Sequence, residues 1–160
     1  MIITHHREKL INAIAYFAKN THYCGKTKLM KLLFFLDFWH FKQTGKSVTG
    51  LEYYAWDWGP VPADLWGELT DGMAPDLSKA VAIVPTTFED EKTIEQVRTK
   101  TEAKFNDKHF TKREMKLLED SAEIFKYATA EQMVFASHLP NEPWDKTIRT
   151  KGERARIDYM

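Results

Sequence analysis

Histidine and cysteine side chains are the residues of this sequence best suited to metal binding or nucleophilic chemistry. His22 and Cys24 stand two positions apart, and His40 and His138 are imidazoles that a fold could bring beside them. Zinc sites, however, use paired CxxC or HxxxH spacing, and the sequence has neither. A lone cysteine is most often a small apolar residue. The pattern therefore favours neither a metal centre nor a cysteine nucleophile, and a metal-dependent enzyme is the weaker alternative.

Other catalytic signatures are also missing from the sequence. It contains no GxSxG nucleophile motif, no GxGxxG dinucleotide motif and no GxxxxGK[ST] phosphate loop. Its acidic cluster, formed by Asp57, Asp64, Glu68 and Asp71, surrounds a predicted helix start, where carboxylates complement the helix dipole. We therefore predict a protein that is not an enzyme and that binds no cofactor.

Composition predicts a single domain in the cytoplasm. The chain has 160 residues, of which 43% are hydrophobic, and this is enough for one ordinary core. A single cysteine suits a reducing compartment. The longest apolar run, residues 32–36, is far too short to span a membrane, and the N-terminus lacks a signal-peptide pattern. We expect a cytoplasmic protein without a membrane partner.

Charge is distributed unevenly although the net charge is zero. Residues 1–50 carry eight basic and two acidic side chains, whereas residues 51–75 carry five acidic and no basic ones. Neighbouring elements of opposite sign can pair with each other, which we favour over steering of a charged partner. Nucleic-acid binding is a minority alternative that would use the lysines at positions 26, 28, 31, 42 and 46. The helix that carries most of them is apolar on most sides, which leaves few faces for phosphates.

Hydrophobic periodicity indicates a helix-rich chain with one β-rich insertion. Apolar spacing predicts helices over residues 7–19, 28–43 and 62–69, and capping boxes at Thr111 and Thr129 predict two more. Residues 97–105 alternate between apolar and polar, as a half-buried strand does. The prediction is an α+β fold, predominantly α-helical, with about five or six helices and a small inserted antiparallel β-ribbon near residues 80–108. The domain covers residues 1–150, and residues 151–160 form a C-terminal tail.

Aromatic residues are concentrated in one stretch of the chain. Five of them fall within 14 positions, namely Tyr53, Tyr54, Trp56, Trp58 and Trp66. A small domain cannot bury so many rings completely, so we expect one or two tryptophans to be exposed. The set expected at the surface is Asp57, Trp58 and the turn at Gly59-Pro60.

Three blocks of the sequence together resemble a known family. The first two are Lys28-Leu-Met-Lys-Leu-Leu-Phe-Phe35, followed by Thr44-Gly-Lys46, and Ala55-Trp-Asp-Trp-Gly-Pro-Val61, followed by Pro62 and Leu65-Trp66. The third is Ser137-His138 with Pro143-Trp144, where serine replaces the usual threonine. In order and spacing they resemble the Panacea domain of the SocA-like antitoxins, which are also described as phage-associated proteins. The likeness extends over residues 8–148.

The resemblance implies a set of scaffold residues and no catalytic ones. We expect Gly59 to take a backbone angle that other residues resist, Pro60 to fix the next one, and His138 to bond the backbone around the Pro143-Trp144 turn. The implied scaffold residues are Lys28, Leu29, Lys31, Leu32, Leu33, Trp56, Gly59, Pro60, Val61, His138, Pro143 and Trp144.

For function, the resemblance implies an antitoxin that neutralises a co-encoded toxin by direct protein–protein binding. One alternative is a proteolytic adaptor that delivers the toxin to a ClpXP-type protease, and another is a DNA-binding autoregulator. The residues themselves do not choose between inhibition and delivery.

The predicted toxin-binding surface combines aromatic side chains with the charged face of the β-ribbon. An edge strand of that ribbon could also pair with a strand of the toxin. The residues assigned to toxin binding are Tyr54, Asp57, Trp58, Arg98, Lys100 and Lys104.

Overall fold

The structure is a computed structural model that describes residues 5–159. Within these residues the chain forms seven helices and five strands, in the order α1 (His6–Asn20), α2 (Lys26–Thr44), β1 (Tyr53–Trp56), β2 (Gly59–Val61), α3 (Ala63–Asp71), α4 (Pro75–Ala80), β3 (Val81–Thr87), β4 (Thr93–Thr99), α5 (Lys112–Ile124), α6 (Ala130–Ser137), α7 (Pro143–Lys151) and β5 (Arg156–Ile157).

This order confirms the predicted helix-dominated α+β fold, with a small correction to the helix count. The short helix α4 and the helix α7, which begins at Pro143, are not among the five helices that the sequence placed. Both helices have proline in the first turn, where its missing N–H has no helical partner to lose.

The helix α2 forms the centre of the core. Its apolar side chains surround the axis, as the sequence predicted, and eleven of its residues are buried. It packs against α1, α5 and α6. Gly45 ends it in the left-handed region with φ 76°. The fully buried leucines of this helix are Leu29, Leu32, Leu33 and Leu36.

The capping boxes at the two later helices are confirmed. Thr111 accepts from the backbone N–H of Glu114, and the Glu114 carboxylate accepts from the backbone N–H of Thr111. Thr129 and Gln132 make the same reciprocal pair at α6. Each pair satisfies two amides that a helix start leaves free, so the local sequence fixes both helix starts.

A three-stranded antiparallel sheet with the order β2-β1-β5 packs beside α2. Its last strand comes from the segment predicted as a tail, because Tyr53 of β1 pairs with Ile157. Tyr159 then stacks on Phe38, with ring centres 4.4 Å apart, and donates to the backbone carbonyl of Leu51. This segment is therefore part of the folded domain, which corrects the predicted boundary at residue 150.

The inserted antiparallel ribbon is confirmed, in a shorter form than predicted. β3 pairs with β4 from Val81↔Thr99 to Thr87↔Thr93. The alternation that continues to Phe105 does not extend the strand, because the chain turns after Thr99 and the N–H of Ala103 bonds to the carbonyl of Lys100. Beyond that turn, the ring of Phe105 packs on the ring of Tyr16, with ring centres 5.3 Å apart.

A buried carboxylate fixes the loop between α2 and β1. Asp37 accepts hydrogen bonds from the backbone N–H groups of Val48 and Thr49, from the Thr49 hydroxyl, and from the Tyr53 hydroxyl at 2.6 Å. Burial raises the pKa of Asp37, and the four donors act against that rise. Sequence reasoning missed this group, since an acidic residue within an apolar helix gives no sign of its partners.

Candidate functional site

The two lysines of the first motif lie inside the protein. Lys28 and Lys31 both have side chains without solvent exposure. The Nζ of Lys28 donates to the backbone carbonyls of His22, Phe125 and Ala128, each at 2.7 Å. Burial lowers its pKa to about 8. Both lysines are therefore buried structural residues that cannot contact nucleic acid. The alternative of nucleic-acid binding is wrong where it relied on Lys28 and Lys31.

The second lysine joins α2 to the hairpin of β1 and β2. The Nζ of Lys31 donates to the carbonyl of Pro60 at 3.2 Å and lies 4.9 Å from the centre of the Trp58 ring. Because this amine has one carbonyl and one aromatic face in place of water, burial lowers its pKa to about 7.

Gly59 is needed where the hairpin approaches this lysine. Its φ of 114° confirms the expected backbone angle, which side chains rarely adopt. A Cβ at this position would lie 2.7 Å from both Cε of Lys31 and Oγ of Ser137. The glycine therefore serves two purposes, a left-handed backbone angle and close packing against α2 and α6.

The tryptophans of the second motif form a cluster instead of an exposed surface. The ring centre of Trp58 lies 4.9 Å from that of Trp66 and 5.6 Å from that of Trp56, both in edge-to-face geometry. The Lys26 ammonium lies over Trp66 at 5.1 Å. Each ring covers part of its neighbour, so the cluster shields itself from water.

The expected exposure of this stretch is only partly right. All five tryptophans are half-buried, so the prediction of one or two exposed ones is wrong. Asp57 is exposed as predicted, whereas Gly59 and Pro60 are buried. The turn is buried because the tertiary structure packs α2 and α6 against it, with Lys31 and Ser137 next to Gly59.

His138 and Trp144 meet, but with different roles from those expected. Their rings stack with centres 3.9 Å apart. The indole N–H of Trp144 donates to the carbonyl of Trp56 at 2.7 Å, so the tryptophan makes the backbone bond that was expected of the histidine. The Nε2 of His138 is buried without a hydrogen-bond partner. Burial, together with the nearby charge of Lys31, lowers the pKa of His138.

The residues predicted to bind toxin fall into two separate groups. Tyr54 is half-buried and Asp57 is exposed, whereas Lys100 and Lys104 line a cleft of about 560 Å³ next to α1. Arg98 is exposed on β4. Within residues 5–159 no hydrogen bond or ion pair joins the hairpin group to the ribbon group. These residues therefore belong to two different elements, the β1–β2 hairpin and the end of the ribbon, without a direct bond between them among the described residues.

The ribbon edge is poorly suited to the strand pairing considered above. Because the N–H of Val97 bonds to the carbonyl of Cys24, the register places the backbone nitrogen of Pro85 on the outer side of β3. Proline has no N–H, so the middle of this edge lacks a donor. A strand added along β3 would lose one ladder hydrogen bond at its centre.

Three large apolar side chains are exposed at the end of α5 and at α6. Ile124 is 63% exposed, Phe135 is 73% exposed and Leu139 is 44% exposed. Beside them, a groove of about 280 Å³ runs between α2 and α6. Sequence reasoning missed these exposed side chains, and the signal was present: α6 carries apolar residues on both sides, and only Met133 and Ser137 are buried. The aromatic residues lining the groove are Phe34, Phe35, Phe38, Trp39 and Phe125.

Neither metal-ligating clusters nor membrane-spanning helices occur in the described part of the chain. Within residues 5–159, no three side chains of histidine, cysteine, aspartate or glutamate lie close enough to hold one metal ion together. None of the helices in the same residues combines the length and the apolar character needed to cross a bilayer. Cys24 is fully buried, and burial raises the pKa of its thiol to about 11.

One comparison with known proteins gives a match. The family model described as "Antitoxin SocA-like, Panacea domain" matches residues 29–145, a span that begins in α2 and ends in the first turn of α7. No curated protein and no solved structure matches the chain significantly. The matched span contains the buried Lys31, the tryptophan cluster, Gly59 and the His138–Trp144 stack.

Proposed function

Because this chain belongs to the SocA-like antitoxin family that carries the Panacea domain, we propose that it neutralises a cognate, co-encoded toxin by direct protein–protein binding. The structural observation that carries the binding mode is the apolar surface at Ile124, Phe135 and Leu139. Large apolar side chains exposed beside an apolar groove are typical of surfaces that a partner covers. The protein acts in the cytoplasm, where its toxin is made.

The proposed role is binding and not catalysis. Two buried ionisable groups that could do chemistry have structural partners instead. The Lys28 amine is held by three carbonyls, and the Asp37 carboxylate receives four hydrogen bonds. Groups that are fully satisfied inside the fold stabilise it and are not available to a substrate. In this proposal the chain needs no cofactor, and its specificity comes from its surface.

The experiment is co-expression with the open reading frame next to this gene. That frame is expected to stop growth when expressed alone, and the chain is expected to restore growth and to co-purify with its product. Phe135→Asp puts a charge on the most exposed aromatic ring and is expected to weaken binding about 30-fold. Val84→Asp, an exposed apolar residue on the ribbon, is the matched control and is expected to bind as the wild type does.

The same experiment separates inhibition from delivery to a protease. If growth is restored equally in a strain without the ClpXP-type protease, the chain inhibits its toxin by occupancy. If rescue disappears in that strain, while the two proteins still co-purify, the proposal of direct neutralisation is wrong and the adaptor alternative replaces it. A neighbouring frame that is harmless and does not bind would contradict both.

A further inference from the structure

The groove beside α6 continues along α2 into a second cleft of different character. The first cleft, of about 280 Å³, and the second, of about 450 Å³, share Phe38, Lys42, Glu142 and Pro143 in their walls. Together they form one groove, here called the α2 groove, with α2 on one side and α6 and α7 on the other. Its two halves differ in chemistry, which restricts what can occupy it.

The first half of the α2 groove is apolar. Phe34 and Phe125 lie in its wall together with Trp39, and Ala136 and Leu139 of the α6 side face them. Phe35 and Trp39 both stack on Phe125, so the rings of the aromatic wall are packed against one another. Ile124 and Phe135 are exposed and lie outside the groove wall.

The second half of the α2 groove is charged, with one more lysine than it has carboxylates. Lys42, Lys146 and Lys151 line it, against the two carboxylates of Glu142 and Asp158. Lys151 pairs with Asp158 at 2.6 Å, and Lys42 pairs loosely with Glu142 at 3.8 Å. Within residues 5–159 Lys146 makes no ion pair, so one positive charge in this half is unmatched.

We propose that the α2 groove binds an amphipathic helix of the toxin, with large apolar side chains in the first half and carboxylates beside Lys42 and Lys146 in the second. This inference rests on the proposed function and adds the chemistry of the partner. The acidic end of the toxin helix is placed in the second half by charge complementarity, because Lys146 there, unpaired within the described residues, attracts a carboxylate. The Lys42–Glu142 pair is exposed and long, so exchanging it for a contact with the partner costs little.

The dimensions of the groove favour a helix over a single side chain. The wall residues Phe34 to Phe41 of α2 span about 10 Å at 1.5 Å per residue, which equals two helical turns. A helix that lies between two helices presents side chains at spacings i, i+3, i+4 and i+7. Two turns therefore place two or three apolar side chains in the first half and an acidic residue in the second.

The test measures the affinity of the purified neighbouring gene product for variants of this chain. Ala136→Trp fills the apolar half and is expected to weaken binding about 30-fold or more. Leu139→Glu, at a position already 44% exposed, repeats the test without crowding the interior. Lys146→Glu is expected to weaken binding about 10-fold and to reduce its dependence on salt. The matched control is Lys116→Glu on α5, an exposed lysine outside the groove.

A charge swap then identifies the partner residue. In the Lys146→Glu background, changing one acidic residue of a toxin helix to lysine is expected to restore most of the lost affinity. Restoration at one position supports the proposal, since an indirect effect of Lys146→Glu on folding would not respond to a change in the partner. Failure of every acid-to-lysine change in the toxin would overturn the acidic part of the assignment.

The outcomes distinguish this inference from the function on which it rests. If the wild-type chain neither binds the neighbouring product nor restores growth, the proposed function fails. If the wild type binds and both Ala136→Trp and Leu139→Glu bind equally well, the function stands and the α2 groove is wrong. If the chain alone forms a dimer that Ala136→Trp dissociates, the occupant is a second copy of this chain, and docking of the toxin in the groove is overturned.

Discussion

Replacing Lys31 with methionine removes the buried amine while keeping a flexible stem of similar length. The amine sits between the carbonyl of Pro60 and the ring of Trp58, and burial lowers its pKa from 10.5 to about 7. The unfolded chain therefore binds one more proton than the folded chain between these two pH values. The free energy of unfolding of the wild type must rise with pH across that window, and the contribution of Lys31 to this rise must vanish in Lys31→Met.

The size of the effect follows from the pKa of Lys31. Between pH 7 and pH 9, with a folded pKa of about 7, the gain in stability that this one group supplies is about 2 kcal/mol. Losing the hydrogen bond to the Pro60 carbonyl, which the neutral amine also makes, adds a loss of about 1 kcal/mol that does not depend on pH. That second effect shifts the whole curve without changing its slope, so the slope isolates the titration.

The assay is urea unfolding of wild type and Lys31→Met at pH 7 and pH 9, followed by tryptophan fluorescence. The difference in unfolding free energy between the two proteins is expected to change by about 2 kcal/mol between these pH values. Lys28 also has a lowered pKa, but it is present in both proteins and cancels in the difference. Lys116→Met, at an exposed lysine, is the control with an unchanged slope. Parallel pH curves for wild type and Lys31→Met would refute the reasoning.

Three further changes test the packing around this group. Lys28→Met leaves three backbone carbonyls without their donor and is expected to lower the unfolding free energy by about 3 kcal/mol, read from the urea midpoint; an unchanged midpoint would contradict it. Gly59→Ala is expected to lower the unfolding free energy by about 3 kcal/mol or more, whereas Gly45→Ala, with open space around it, is expected to lower it by about 1 kcal/mol. Equal melting temperatures of the two variants would show that close packing at Gly59 does not matter. Tyr159→Ala removes the stack on Phe38 and is expected to cost about 3 kcal/mol by thermal melting, a loss that a loose tail would not show.

Local patterns in the sequence correctly predicted most of the framework. The apolar periodicity placed α2 at the centre, and the threonines at positions 111 and 129 marked two helix starts. The backbone angle of Gly59 was also predictable, because glycine before proline in a short turn serves a conformation that other residues resist. These features depend on residues within a few positions of each other, so the sequence carries them directly.

The placement of the polar residues was not predictable in the same way. The resemblance implied a scaffold role for Lys28 without naming its partners, and its amine is held by carbonyls at Phe125 and Ala128, about 100 residues further along the chain. The burial of Trp58 was equally unpredictable, because it depends on packing against Trp56 and Trp66. Burial of a charged or aromatic side chain depends on which distant groups the fold brings to it, and spacing along the chain does not encode that.

By itself the sequence therefore determined five of the seven described helices, the ribbon, the family and the turn at Gly59, because each is specified by local spacing or by motifs in a fixed order. Only the tertiary structure decided that the last residues complete a sheet, that Lys31 is internal, and that large apolar side chains remain exposed at the end of α5 and at α6. Those features arise when α2, α6 and α7 pack together, since the shape of a groove is the space that several elements leave between them.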